Sequence, residues 1–121
     1  MAPILTKIEN TQDFLRILQE NPGIVLIKFG AEWCGPCKKI EDQVHEGILS
    51  MPENVQCYVI DVDECFEIYA FLKSKKMVNG IPAILSYVKG NLHYVPNDSV
   101  IGANPEQVDL FFKRIQFAAS L

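Results

Sequence analysis

Two cysteines separated by two residues, Cys34 and Cys37, are the side chains best suited to carry out chemistry in this chain. A thiol pair at this spacing can close a disulfide and reopen it, which makes it a reversible two-electron couple. The pair lies between an apolar run at residues 24–29 and a helix-like stretch at residues 36–49. Free backbone N–H groups and the helix dipole at such a junction favour a thiolate. We therefore expect Cys34 to be the more exposed, more easily ionised thiol and the attacking nucleophile.

A Cys-x-x-Cys pair can also supply half of a zinc site. Zinc would need two further ligands at a similar spacing. The other cysteines, Cys57 and Cys65, lie eight residues apart, and His45 and His93 form no ligand pair and are expected at the surface. A proline in the first helical turn, here Pro36, is preorganised for a helix. These observations favour redox chemistry and predict no metal site.

The composition is that of one ordinary globular domain over residues 1–121. Apolar residues make up 49% of the chain and charged residues 21%. The net charge of −4 and the absence of a basic stripe argue against nucleic acid as a partner. The first six residues have no leader-like pattern, and no apolar run is long enough to span a membrane. We expect a cytoplasmic monomer whose unpaired thiols suit a reducing compartment.

The hydrophobic pattern predicts alternating strands and helices along the whole chain. Strands are expected at residues 4–8, 25–30, 55–62, 84–88 and 92–95, with a tight turn at 89–91 between the last two. Helices are expected at residues 11–20 and at residues 36–49. A third helix is expected to begin after a cap at Asp63, and a fourth at Asn104. The order βαβαβαββα predicts an α/β sandwich. The helix residues expected to face the core are Phe14, Ile17, Leu18, Cys37, Ile40, Val44, Ile48, Cys65, Ile68, Tyr69, Leu72, Val108, Phe111, Phe112 and Ile115.

Four features of the chain, within about residues 4–117, resemble the thioredoxin family. Residues 31–38, AEWCGPCK, match the active-site segment of that family without a change. Gly80-Ile81-Pro82 is similar to its cis-proline loop, Gly90 to the glycine of its late hairpin, and Gly102 to the glycine of its substrate groove. The resemblance implies the thioredoxin fold, a central mixed β-sheet flanked by helices on both faces.

The resemblance also implies roles for the active-site segment. Cys34 would attack a target disulfide and Cys37 would resolve the mixed disulfide, with Gly35 and Pro36 between them. The implied activity is general protein-disulfide reduction by the Cys34–Cys37 disulfide, with no bound cofactor. Protein disulfides would be the substrates, and an NADPH-dependent thioredoxin reductase would recharge the pair.

A substrate groove is expected around the cysteines. If the bond before Pro82 is cis, as the resemblance implies, the Ile81 backbone lies beside Cys34 and can pair with an extended substrate, although a purely structural turn is the alternative. Trp33 would belong to an apolar rim, or else to the ordinary core. The expected groove residues are Trp33, Val62, Ile81, Pro82, Gly102 and Ala103.

The chain departs from the family pattern at several positions. Lys28 stands in place of a buried acid, and Val59 in place of its lysine partner. Beneath Cys37, Lys28 would tune the redox potential, unless it reaches solvent, pairs with a carboxylate such as Asp61 or loses its proton. Asp42 replaces a helix-kinking proline, so a straighter helix is expected. A short insertion near residues 95–99 should lengthen the loop before the last strand.

Two other functions stay open at this point. A thiol oxidase or isomerase of the same fold is compatible with Lys28, but such members of the family usually carry histidine at the position of Pro36. A non-catalytic subunit of a partner complex would not need both thiols. Cys57 is expected in the core, and Cys65 is either a regulatory thiol or part of an apolar helix face.

Overall fold

The computed structural model describes residues 3–121; the first two residues of the N-terminal segment considered above lie outside this range. The elements in chain order are β1 (Ile4–Leu5), α1 (Thr11–Gln19), β2 (Ile24–Gly30), α2 (Gly35–Lys39), α3 (Glu41–Leu49), β3 (Val55–Asp61), α4 (Phe66–Ser74), β4 (Ala83–Val88), β5 (Asp98–Ile101) and α5 (Pro105–Ala119).

The strands form one mixed sheet in the order β1-β3-β2-β4-β5. Strands β1, β3 and β2 run parallel, whereas β4 is antiparallel to both of its neighbours. Strand β2 lies at the centre, and its aliphatic, β-branched sequence suits a strand that is covered on both faces. Lys28 is the charged exception, in register with Val59 on one side and Ile84 on the other.

Two apolar cores cover the two faces of this sheet, because successive side chains of a strand point in opposite directions. On one face, Val25, Ile27 and Phe29 pack with α1 and α4. On the other face, Ile24 and Leu26 pack with α3 and α5. The expected flanked mixed sheet is confirmed, and so are the helix residues turned toward it, except that Cys37 is in neither core and Cys65 precedes α4.

The strands at both edges differ from the sequence prediction. Strand β1 ends at Leu5, although Ile8 is fully buried. The turn at Gly90 forms as expected, with φ +97°, but residues 92–95 are not a strand. In this segment the Asn91 side chain donates to Val95 O and to Asn97 Oδ1, which replaces ladder hydrogen bonds by local ones. The last strand therefore begins only at Asp98, after a long loop.

The single helix expected at residues 36–49 is divided at Ile40, so the prediction of a straighter helix is wrong. Ile40 has φ −109° and ψ 7°, outside the helical region, and its side chain is 1% exposed. Lysines end α2, and two acids, Glu41 and Asp42, begin α3. Each charge complements the dipole of its own helix, which favours two short helices at this point.

Asp63 does not cap α4, contrary to the sequence prediction. The N-cap position is Cys65, whose side chain makes no capping hydrogen bond. The carboxylate of Asp61 instead accepts hydrogen bonds from the backbone of Asp63 and Glu64, at 2.8 and 3.3 Å, and orders the turn after β3. The side chain of Asp63 is left available for a partner outside this loop.

Candidate active site

Strand β2 and helix α2 bring the two cysteines together. Cys34 is the N-cap of α2, and its Sγ accepts a hydrogen bond from the backbone N–H of Cys37 at 3.1 Å. Pro36 lies in the first turn, where its lack of an N–H has no cost. The cysteines form a disulfide with their Cα atoms 5.2 Å apart. The pair is therefore a closed redox couple at the carboxyl end of the central strand.

Exposure does not distinguish the two cysteines, so the expectation of a more exposed Cys34 is wrong for the disulfide form. Both residues are 4% exposed because the sheet and neighbouring loops cover them. Their surroundings differ instead. Cys34 Sγ lies 3.9 Å from the carbonyl oxygen of Ile81, whereas Cys37 Sγ faces Gly30.

The loop before β4 lies against Cys34. The Ile81–Pro82 peptide bond is cis, as the resemblance implied. The backbone N–H of Gly102 donates to Pro82 O at 2.8 Å, which ties this loop to the end of β5. Gly102 has φ +96°, a conformation that favours glycine. The Ile81 carbonyl is held beside the sulfur by this arrangement.

Trp33 is a surface residue and not part of the core. Its side chain is 68% exposed, and its indole N–H donates to Asp63 Oδ2 at 2.7 Å. Ala103 is half-buried and lines a shallow depression together with Gly35 and Pro36. These residues, with the Ile81–Pro82 loop and Gly102, surround the disulfide.

Val62 does not belong to the exposed rim in which the sequence analysis placed it. It is 6% exposed and packs in the core between the sheet, α1 and α4. Its backbone N–H donates to Gly30 O at 3.0 Å, which joins the ends of β3 and β2 below the cysteines. Val62 therefore supports the site from within.

Lys28 and Cys37 line one cavity of about 390 Å³ beside the disulfide. A Cβ on Gly30 would lie 2.9 Å from Lys28 Nζ and 3.6 Å from Cys37 Sγ, so the absence of that side chain leaves room for both groups. Burial lowers the pKa of Lys28, and the nearby carboxylate of Glu41 opposes this effect. Glu41, at the start of α3, therefore favours the charged form of Lys28, while Asp61, the partner considered from the sequence, lines the same cavity without an ion pair to Lys28.

Two contacts at the candidate site had no signal in the sequence. The Trp33–Asp63 hydrogen bond joins residues thirty positions apart. The effect of Glu41 on Lys28 depends on where the helix after the cysteines is divided. Neither Asp63 nor Glu41 belongs to a recognisable motif, and both contacts depend on how separate segments of the chain meet at the end of the sheet.

The other two cysteines are buried away from the disulfide. Cys57 lies on β3 in the core, as expected, and burial raises its pKa to about 11. Cys65 is 8% exposed, with Sγ 3.8 Å from Thr6 O. Both histidines are exposed, as expected. Residues 3–121 contain no group of three or more His, Cys, Asp or Glu side chains that could hold a metal ion.

No helix in the described part of the chain combines the length and the apolar character needed to cross a membrane.

Comparison with known proteins finds one family. The family model described as thioredoxin matches residues 5–113. Thioredoxin Asp f 29 of Aspergillus fumigatus is 32% identical, over 93% of this chain and 96% of that protein. Thioredoxin of Equus caballus is 30% identical, over 91% of this chain and 97% of the relative. Some relatives are longer, and the chain spans 51% of the chloroplastic M-type thioredoxin of Pisum sativum.

The solved structures agree with this result. The crystal structure of thioredoxin from Trypanosoma brucei brucei superposes with a TM-score of 0.71 at 28% identity, over 93% of this chain and 90% of that one.

Proposed function

Since the chain belongs to the thioredoxin family and is a thiol–disulfide oxidoreductase, we propose that it is a general reductase of protein disulfides. One observation carries the proposal: the Cys34–Cys37 disulfide lies beside the backbone carbonyl of Ile81, at 3.9 Å from Cys34 Sγ. A backbone carbonyl beside the reactive sulfur is a group that can pair with the backbone of an extended polypeptide substrate. We assign this activity to a single thioredoxin domain over residues 1–121.

The proposed reaction moves two electrons from the dithiol to the target. The Cys34 thiolate attacks one sulfur of the target disulfide, breaks that S–S bond and releases the other target sulfur as a thiolate. Cys37 loses its proton to solvent or a nearby base and attacks Cys34 Sγ. The mixed disulfide breaks, the second target thiolate leaves and takes up a proton, and the Cys34–Cys37 disulfide remains.

The assignment of Cys34 as nucleophile is supported by its hydrogen-bond partners. The N–H of Cys37 points at Cys34 Sγ from the first turn of α2, and a thiolate accepts such a bond more strongly than a thiol does. Cys37 Sγ makes no such contact and lies next to Gly30 instead. Gly35 and Pro36 join the two and hold the turn.

The proposed substrate groove consists of Trp33, Ile81, Pro82, Gly102 and Ala103. The Ile81 backbone would pair with the target, and the exposed indole of Trp33 offers an apolar surface that binds with little sequence preference. Val62 would contribute by packing beneath these residues.

We also assign a redox-tuning role to Lys28. An ammonium in the cavity beside Cys37 favours the Cys37 thiolate, which stabilises the reduced dithiol and raises the reduction potential. The pKa of Lys28 is lowered by burial, but the carboxylate of Glu41 favours its charged form. A raised potential would also favour the second candidate function, a thiol oxidase or isomerase, since a more oxidising couple accepts electrons more readily.

The remaining assignments follow the family. Thioredoxin reductase, drawing on NADPH, would recharge the disulfide, and the couple itself carries the electrons without a bound cofactor. A role in electron transport and cell redox homeostasis, in the cytoplasm and as a monomer, is consistent with an acidic single domain.

Insulin reduction followed by turbidity tests the proposed function. Wild-type protein with dithiothreitol should accelerate precipitation of the insulin chains, and Cys34→Ser should abolish the acceleration. Complementation of cells that lack the protein distinguishes the reductase from a non-catalytic subunit of a partner complex. A non-catalytic subunit would still function in cells when Cys34 is replaced by serine. Retained cellular function in that variant would contradict the reductase.

A further inference from the structure

Three lysines lie together at the end of α4, beside the proposed substrate groove. Lys73, Lys75 and Lys76 are all exposed. The backbone N–H of Lys76 donates to Lys73 O at 3.0 Å, and that of Met77 donates to Leu72 O at 2.9 Å. These two bonds form the paired helix-ending motif in which the residue at position 76 is left-handed. The end of α4 is therefore a defined turn that fixes where the lysines project.

Lys76 occupies a position that helices commonly give to glycine. Its φ is +64°, and it is the only residue other than glycine with a positive φ within residues 3–121. A Cβ disfavours this conformation, whereas glycine adopts it freely. A lysine here keeps a charge at the expense of local conformational stability, and such positions are often functional.

The lysines carry a charge that the chain itself does not neutralise. The sequence has a net charge of −4, yet no ion pair joins these three ammonium groups to a carboxylate of residues 3–121. Lys73 lies over the ring of Tyr69 and Lys75 over that of Tyr94, at 5.9 and 5.5 Å from the centroids. The helix dipole favours a positive charge in the last turn of α4 and so explains Lys73. It does not explain why a lysine, Lys76, occupies the left-handed position.

A pocket of about 610 Å³ lies between these lysines and the end of β5. It combines two ammonium groups with an amide and an apolar floor; its lining residues are Lys73, Lys76, Met77, Val78, Asn79 and Ile101. Ile101 is 46% exposed, so the apolar part is open to a partner.

The pocket continues the proposed substrate groove. Asn79 precedes Ile81, whose carbonyl faces Cys34, by two residues. Ile101 is followed by Gly102, whose N–H is bonded to Pro82 O. A polypeptide that pairs with the Ile81 backbone can therefore place a side chain in this pocket a few residues away, given the rise of about 3.3 Å per residue in an extended chain.

We propose that this pocket binds acidic side chains close to the target disulfide, so that the preferred substrates are protein disulfides flanked by aspartate or glutamate. The inference rests on the proposed reductase function and specifies its substrate class. Lys76 and Lys73 attract the carboxylate, and Met77, Val78 and Ile101 contact its aliphatic stem. These lysines are substrate-positioning residues and take no part in thiol exchange.

The test uses two cystine peptides that are identical except for glutamate or glutamine beside the disulfide. Wild type should reduce the glutamate peptide with about threefold higher kcat/KM, as expected for an exposed charge pair. Half-molar salt should remove the difference, since it screens exposed charges. Lys76→Gly should lose the preference while its thermal unfolding midpoint stays equal or rises, because glycine suits the left-handed position. The control variant Lys113→Gln removes one positive charge from α5, which is the same change in net charge, and should keep the preference for the glutamate peptide.

Equal rates for the two peptides with wild type, or an equal loss for both in Lys76→Gly, would overturn the inference and leave the reductase function intact. Failure of wild type to reduce either peptide would overturn the proposed function itself.

Discussion

The indole N–H of Trp33 donates a 2.7 Å hydrogen bond to the carboxylate of Asp63, across the gap between the segment before Cys34 and the loop after β3. The side chain of Trp33 is 68% exposed, so we expect this hydrogen bond to limit its rotation. The contact would then hold the indole as an apolar wall of the proposed groove next to the disulfide.

Asp63→Ala should free the Trp33 indole and weaken substrate reduction. Trp33 is the only tryptophan, so time-resolved fluorescence anisotropy reports on it alone and should gain a larger fast component. Stability should fall by only about 1 kcal/mol, because the hydrogen bond is solvent-exposed. Asp63→Asn keeps an acceptor oxygen and should behave like wild type. Unchanged anisotropy in Asp63→Ala would show that packing, not the hydrogen bond, orients the ring.

Limiting iodoacetamide should alkylate Cys34 before Cys37 in the reduced protein at neutral pH. The two residues are equally buried in the disulfide form, so the selectivity must come from thiolate stabilisation by the Cys37 N–H at the start of α2. Both cysteines lie in the tryptic peptide of residues 29–38, so fragmentation of that peptide by tandem mass spectrometry shows which of them is modified first. Modification of Cys37 first would reverse the assigned roles.

Lys28→Met should lower the reduction potential of the Cys34–Cys37 couple. The ammonium in the shared cavity favours the Cys37 thiolate, and its removal destabilises the reduced state. The shift is about 30 mV for each tenfold change in ionisation of the thiol. Equilibration with glutathione at neutral pH gives the potential.

Two further variants separate charge from packing at this position. Gly30→Ala should shift the potential in the same direction, because its Cβ would displace Lys28 Nζ from beside Cys37. Lys113→Met removes a distant lysine on α5 and should leave the potential unchanged. If wild type and Lys28→Met agree within about 10 mV, a third of the shift expected for a tenfold change, Lys28 fills space and does not tune the couple.

Cys57→Val should flatten the loss of stability at alkaline pH. Burial raises the pKa of Cys57 from 9.0 to about 11 in the folded chain, so the folded state holds this proton more tightly than the unfolded state does. The resulting stabilisation is fully present below pH 9.0 and is lost as the pH rises through about 11. A two-unit shift corresponds to about 2–3 kcal/mol.

Urea unfolding of the oxidised protein between neutral pH and pH 11 measures this difference. The wild-type free energy of unfolding should fall more steeply than that of Cys57→Val, whatever the offset between them. Parallel curves would mean that the pKa of Cys57 is the same in the folded and the unfolded protein, and would contradict the prediction.

The sequence alone determined the features that depend on local spacing and hydrophobic pattern. The cysteine spacing and the AEWCGPCK segment predicted the redox pair, and the buried run of β2 with the apolar helix faces predicted a sheet covered on both sides. These features follow from residues close together in the chain, where burial periodicity and helix-start chemistry act directly.

Only the tertiary structure decided which distant residues meet at the end of the sheet. It buried Val62 in the core, gave Lys28 a cavity with Cys37 and Glu41, and paired Trp33 with Asp63. It also divided the helix at Ile40, because a buried side chain and the charges of two helix ends outweighed a continuous helical pattern. Such outcomes are set by packing and electrostatics between segments far apart in sequence, which no local pattern encodes.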